Sequence, residues 1–217
     1  MKKTFSIIGD SYSTFSGFIP GGYATYYPQI ENVPDVLCVE DTWWHLFLSR
    51  NNLKLLKNNS YSGSTVCTIV RPGLPESSSF VERVKLHFSS VSSGEIQPDY
   101  MFVFGATNDS WLLREPGVPQ YGNWKDEDLE KVLPAYCFVL DYLRKENPDS
   151  CLVCVINTQL QPEIAEGLVQ AAAHYGAVAV RLQEIDKSCK HPSKLGMKQI
   201  CEQIENAIFP SKKSKNF

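Results

Sequence analysis

Long apolar runs are what this sequence most plainly lacks. No stretch approaches the roughly 20 residues that cross a bilayer, so the chain offers no membrane-spanning segment. Met1-Lys2-Lys3 has the charge of a leader's first part, but the apolar run behind it is too short for a signal peptide and no small-residue cleavage site follows. An excess of positive charge is missing too. Lys and Arg number 21 against 24 Asp and Glu, a formal net charge of −3. Nucleic acid and anionic membranes, which call for a basic face, are therefore not expected as partners. Histidine is scarce, with four in the chain, and no His/Asp/Glu set shows ligand spacing. Neither a metal nor any other cofactor is expected. A Gly-x-Ser-x-Gly elbow occurs nowhere, which argues against an α/β-hydrolase.

Paired cysteines are also wanting. Seven, an odd number, are scattered along the chain. Cys151 and Cys154 make a Cys-x-x-Cys, but they lie in Cys-Leu-Val-Cys-Val-Ile, which reads as a strand. Residues three apart in a strand point to opposite faces, so one metal could not hold both. Reduced thiols used as small core residues are expected, and with them a cytoplasmic location.

What is present suits a packed domain. The chain has 217 residues, 43% of them hydrophobic, enough to bury a substantial core. With no repeat and no linker, residues 1–210 read as a single domain and the basic, polar residues 211–217 as a flexible tail. Short apolar runs at residues 4–9, 53–57, 100–105, 151–157 and 177–180 read as strands buried on both faces, as a parallel sheet requires. Stretches of helical period alternate with them. One is capped by Asp41, and the others cover residues 79–88, 126–145, 162–175 and 194–209. In the third of these, Pro134 must either kink the helix or open its second part. The alternation predicts an α/β fold: a three-layer α/β/α sandwich on a parallel five-stranded sheet of flavodoxin-like type.

Two long irregular segments, residues 12–40 and 110–125, are rich in Gly, Pro and aromatics. Both follow strand C-termini, the edge at which open α/β sheets bind ligands. They are expected to wall a substrate cleft. Tyr23, Tyr26, Tyr27, Trp111 and Trp124 are candidates to stack on sugar rings; Phe15, Phe18 and Ile19 are candidates to line an acyl groove.

Four pieces of chemistry stand in order along the chain. Gly9-Asp10-Ser11 ends the first apolar run, releasing a serine at the rim of the sheet, where a nucleophile is accessible and held still. Gly63 lies in Asn59-Ser60-Tyr61-Ser62-Gly63-Ser64-Thr65 after the second strand, where a glycine lets a backbone N–H approach a ligand oxygen. Asn108, in Gly105-Ala106-Thr107-Asn108-Asp109, follows the third. Of the histidines, His45 and His174 fall within helical patterns and His87 near a helix end. Only His191, before Pro192, sits in a polar loop just ahead of a helix, a place that suits a base of near-neutral pKa.

In this order the four resemble the SGNH/GDSL hydrolase superfamily, whose members carry Gly-Asp-Ser, a loop glycine, Gly-x-Asn-Asp and a C-terminal histidine. The resemblance spans nearly the whole chain. It implies a serine esterase with Ser11 as nucleophile and His191 as base. The N–H groups of Ser11 and Gly63 and the side chain of Asn108 would form the oxyanion hole. The implied substrate is a small carboxylic ester, acetylated carbohydrates among them, cleaved through an acyl-enzyme.

The chain departs from the pattern twice. Gly-Ala-Thr-Asn-Asp is one residue longer than Gly-x-Asn-Asp. The aspartate usual three residues before the histidine is here Ser188, and the nearest acid is Asp186. Either Asp186 orients the ring through a longer turn, or a backbone carbonyl does so and leaves a Ser–His dyad; the second is preferred. The competing readings are a non-catalytic carbohydrate-binding protein on the same fold, or a flavin- or phosphate-binding one that uses the hydroxyl-rich residues 11–16. Acyl group, alcohol and oligomeric state stay open.

Overall fold

In a computed structural model, residues 2–29, 35–90 and 94–210 are described. The expected tail, 211–217, and part of the first long loop lie outside the described residues. Five strands form one parallel sheet: β1 (Thr4–Gly9), β2 (Lys54–Ser60), β3 (Tyr100–Phe104), β4 (Cys151–Ile156) and β5 (Val178–Arg181), in the order β2-β1-β3-β4-β5. Helices α1 (Trp43–Arg50), α2 (Phe80–His87), α4 (Val132–Glu146), α5 (Pro162–His174) and α6 (Lys194–Ile208) cover its two faces, and a one-turn helix, α3 (Thr107–Trp111), follows β3. A two-stranded antiparallel ribbon, β6 (Lys187–Ser188) with β7 (His191–Pro192), precedes α6.

Alternation along the strands divides the interior into two cores. Ile8, Met101, Val103, Leu152, Cys154 and Ile156 face one way, beneath residues of α2, α4 and α5. Phe5, Ile7, Phe102, Phe104, Val153 and Val155 face the other, against α1 and α6. Cys154 lies in the first core and Cys151 packs against the second, the opposite placement that the strand period requires.

Most element bounds match the sequence pattern, and the departures have physical causes. The second strand extends to Ser60 because its polar end is buried and satisfied. Asn58 Nδ2 donates to Ser13 O at 2.9 Å, Ser60 Oγ donates to Asn58 Oδ1 at 2.6 Å, and Asn59 accepts from Arg83. Apolarity alone stops too early there. The helix expected from residue 126 starts at Val132, after a short 3-10 turn at Asp128–Glu130. Pro134 thus sits in the first turn of α4, where its missing N–H costs nothing. Asp41 does not cap α1; Thr42 does, its hydroxyl accepting from His45 N. The ribbon and α3 were not foreseen.

Candidate active site

The strand order sets the site. With β1 between β2 and β3, the chain leaves three neighbouring strands at one edge, carrying Ser11, Gly63 and Asn108 respectively. Backbone hydrogen bonds tie these exits together: Asp10 N donates to Phe104 O at 3.2 Å, and Tyr61 N to Gly9 O at 3.1 Å. Gly9 itself admits no side chain, since a Cβ there would lie 2.6 Å from Ser60 Oγ and 2.9 Å from Ser13 Cβ.

Ser11 opens a 3-10 turn, Ser11–Ser13, for which Asp10 is the cap: its Oδ1 accepts from Tyr12 N at 3.0 Å. Asp10 is fully buried, and burial pushes its carboxyl up to about 7, with the Tyr12 N–H opposing. It therefore serves the turn. The hydroxyls that follow are committed within the protein. Trp43 Nε1 donates to Ser13 Oγ at 3.1 Å, and Thr14 Oγ1 donates to Ser11 O at 3.0 Å.

Asn108 is buried at the start of α3, after Ala106 in a left-handed conformation (φ 69°). Its Nδ2 donates to Ser64 O at 2.9 Å, linking it to the residue beside Gly63. An amide nitrogen has a second hydrogen to offer. Gly63 has φ +83°, a backbone that favours glycine. The turn before Asn108 absorbs the additional residue of the longer motif.

Two buried charged residues brace this region: Asp109, which ends the Gly-Ala-Thr-Asn-Asp motif, and Arg83, to which the sequence pattern gives no signal. The Asp109 carboxylate accepts from Val66 N (3.0 and 2.9 Å) and Cys67 N (3.2 Å), anchoring the Gly63 loop to α3. Burial raises its pKa, while those N–H groups pull it back. Arg83, with no exposed surface, donates to Ser78 O, Asn59 O, Gly9 O and Ser64 Oγ. Burial lowers its pKa to about 9, and nearby Tyr23 and Asp10 oppose the change. It remains charged at neutral pH. An isolated arginine in a helical stretch gives no sequence signal of this role.

From the far end of the chain, β7 delivers His191. Its Nε2 lies 3.0 Å from Ser11 Oγ, and its Nδ1 lies 3.1 Å from Cys189 O. A carbonyl only accepts, so Nδ1 carries the proton and Nε2 presents a lone pair to the serine. Cys189 and Lys190 are both left-handed (φ 49° and 65°), the conformation of a two-residue type I′ hairpin turn. That turn aims the Cys189 carbonyl at the ring. Burial brings the imidazole down to about 4; the Cys189 bond opposes this and the Lys187 charge adds to it.

Asp186 does not meet the ring. Its Oδ2 accepts from Ser193 Oγ, which caps α6, and its backbone N donates to Gln199 Oε1 at 2.7 Å. Of the two accounts of the histidine, the geometry matches the carbonyl. Gly196 fixes this arrangement, because a Cβ there would stand 2.1 Å from Asp186 O.

Both long loops reach the pair. The Tyr26 ring stacks on His191 (centroids 3.5 Å apart, planes at 10°), and Trp111 meets it edge-on at 5.9 Å. Other aromatics expected in the cleft lie elsewhere. Tyr27 is buried, with its hydroxyl donating to Pro192 O at 2.8 Å. Trp124 packs edge-on against Phe138, and Tyr23 bonds His87 Nε2 at 2.9 Å. Phe15 is buried and Phe18 packs against it and Trp44. Beyond Lys187, whose ammonium lies 2.6 Å from Thr158 Oγ1, opens a polar hollow of about 460 Å³ lined by Asn157, Thr158, Arg181 and Gln183. Among the described residues no group of three or more His, Cys, Asp or Glu is placed to hold a metal ion. Among them, too, no helix is long and apolar enough to cross a membrane.

The structure is thus a five-stranded α/β/α sandwich with a serine and a histidine in contact at the C-terminal edge of its sheet. The chain belongs to the GDSL-like lipase/acylhydrolase family, whose model matches residues 3–208. It is an ester hydrolase of that family. A GDSL-lipase-like protein of Bacteroides uniformis is 37% identical, with a TM-score of 0.86 over 96% of each chain. Another from Bacteroides ovatus is 36% identical, with a TM-score of 0.85 over 98% of this chain and 99% of that one. A family two carbohydrate esterase of Clostridium thermocellum shares the fold at 14% identity (TM-score 0.63), covering 97% of this chain and 64% of that one. No curated protein matches the chain.

Proposed function

We propose that this protein is a serine esterase that cleaves small carboxylic esters through an acyl-enzyme, with Ser11 and His191 as a dyad. The observation that carries the reading is the 3.0 Å contact from Ser11 Oγ to His191 Nε2, with Nδ1 turned to the Cys189 carbonyl. In the first step Ser11 Oγ bonds the ester carbonyl carbon and its proton passes to Nε2. The carbonyl oxygen becomes an oxyanion, held by the N–H groups of Ser11 and Gly63 and the free hydrogen of Asn108 Nδ2. Collapse breaks the bond to the alkoxy group, which leaves as the alcohol with the proton from Nε2. Water then adds to the acyl-enzyme by the same route, and the acid departs.

A dyad suffices here because the orienting aspartate of a triad fixes the tautomer, and a neutral carbonyl accepting from Nδ1–H fixes the same one. Exposed Trp111 at the mouth favours a compact polar ester, and a carbohydrate esterase with this fold points to acetylated sugars as a first class to try. Residues 1–210 act as one domain in this reading. The seven free cysteines, with Cys151 and Cys154 on opposite faces of a strand, suit a reducing compartment such as the cytoplasm.

The test is hydrolysis of p-nitrophenyl acetate by the wild type and by folded Ser11→Ala. Loss of turnover in the variant is expected. Full turnover in it would remove Ser11 from the chemistry.

A further inference from the structure

Among the described residues no carboxylate bonds the histidine, and the Cys189 carbonyl by itself leaves the ring free to swing about that bond. Three consecutive residues here are each held by a tyrosine. Tyr12 Oη donates to Lys190 O at 2.5 Å, the Tyr26 ring covers the imidazole face, and Tyr27 Oη donates to Pro192 O at 2.8 Å. All three tyrosines come from the segment that follows the nucleophile, so the loop that starts at Ser11 returns to clamp the histidine. We propose that Tyr12, Tyr26 and Tyr27 are positioning residues that together do the work of the missing orienting acid, with Tyr26 setting the plane of the His191 ring.

The clamp is itself anchored. Tyr26 N donates to Thr14 Oγ1 at 2.9 Å, and Thr14 Oγ1 donates to Ser11 O at 3.0 Å, so the stacking ring is tied to the nucleophile's own turn. Tyr27 stands edge-on to Tyr26 at 4.9 Å. The two hydroxyl bonds reach backbone carbonyls on either side of His191 and fix the hairpin that supplies the Cys189 carbonyl. The stack restrains the remaining freedom, rotation of the ring. It leaves Nε2 uncovered, since a face-on contact does not touch the edge that meets Ser11.

The groups around the imidazole are Ser11 and Tyr12 from the first turn with buried Asp10 behind them, Tyr26 from its loop, and Trp111 from α3. Lys187, Cys189 and Lys190 of the ribbon complete the surroundings among the described residues. Lys187 disfavours the imidazolium, and Tyr26 keeps water from one face of the ring. Removing that cover should move the acid limb of kcat/KM upward, from about 4 towards the ordinary value near 6.5.

The inference rests on the Ser11–His191 reading, so Ser11→Ala accompanies every measurement. Tyr26→Leu and Tyr26→Phe are compared with wild type on p-nitrophenyl acetate across pH, with thermal melts of each. Tyr26→Leu should lower kcat by about tenfold to a hundredfold, the scale of a misplaced reacting group, with KM within about threefold. Its acid limb should rise. Tyr26→Phe keeps the ring and should restore both, while Tyr27→Phe should lose a few-fold in kcat. If Tyr26→Leu melts as wild type and keeps its kcat and pH limb while Ser11→Ala is dead, the positioning role is wrong and the dyad stands. Equal losses in folded Tyr26→Leu and Tyr26→Phe would also overturn it, because the phenyl ring would then not matter. An active Ser11→Ala would instead remove the dyad on which the proposal rests.

Discussion

Replacing Arg83 tests whether the site's frame and the protein's stability are one construction. The guanidinium is fully buried and donates to Ser78 O, Asn59 O, Gly9 O and Ser64 Oγ, drawing together the ends of β1 and β2 and the Gly63 loop. Hydrogen bonds to a charged donor are worth about 1.5–3 kcal/mol each, so four suggest roughly 6–12 kcal/mol. Against this stands the cost of holding a buried charge, several kcal/mol, which Arg83→Met relieves. The net loss should be about 3–5 kcal/mol, because buried acceptors such as Ser78 O and Ser64 Oγ lose the donor that satisfies them, while Gly9 O keeps Tyr61 N. At about 2–4 °C per kcal/mol for a chain of this size, Tm should fall by roughly 6–20 °C. Arg83→Lys should recover only part, since one ammonium cannot span acceptors on four segments. Circular dichroism melts of the three proteins, with ester hydrolysis measured well below each Tm, make the assay. A change in Tm within about 2 °C of wild type would refute the reasoning.

Other outcomes follow from the same geometry. Asn108→Ala should lose about 10²–10³ in kcat, one oxyanion donor's worth, yet only about 1 kcal/mol of stability from its bond to Ser64 O. Full activity in this variant would take Asn108 out of the site. Asp186→Asn should leave kcat within about threefold, because its partners are Ser193 and Gln199; in a triad the same change costs about 10⁴. Burial holds the folded His191 at about 4, so kcat/KM should stay level from neutral pH down to about 5 and fall through a limb near 4. The unfolded imidazole takes its proton near 6.5. The stability that His191 contributes is therefore complete above about 6.5 and declines as pH drops towards 4. Gly196→Ala should destabilise by about 1–3 kcal/mol, since its Cβ needs the place of Asp186 O.

What could be read from the sequence was what depends on one residue type at one place. The buried run before Gly9-Asp10-Ser11 marks β1 with its observed bounds, because a strand covered on both faces must be continuously apolar. His191 stood out as the one histidine in a polar loop. What escaped was cooperative. Nothing in Cys189-Lys190 resembles the Asn-Gly of a two-residue hairpin, so the turn that supplies the carbonyl is imposed by its neighbours. The end of β2 hides in Asn58-Asn59-Ser60, polar residues that become strand only through partners distant in the chain. Tyr26 was one aromatic in a loop rich in them, and only the return of β7 to the first turn gives it a stack. The orienting role offered to Asp186 rested on proximity in sequence, and the cap of α6 claims that carboxylate first.

The most direct measurement is covalent capture. Wild type and His191→Ala would each be treated with a fluorophosphonate, digested, and mapped by peptide mass. The account predicts one modified peptide, carrying the label on Ser11, and a much slower reaction in His191→Ala. A label on any other residue, or equal labelling of Ser11 in the two proteins, would contradict the Ser11–His191 pair.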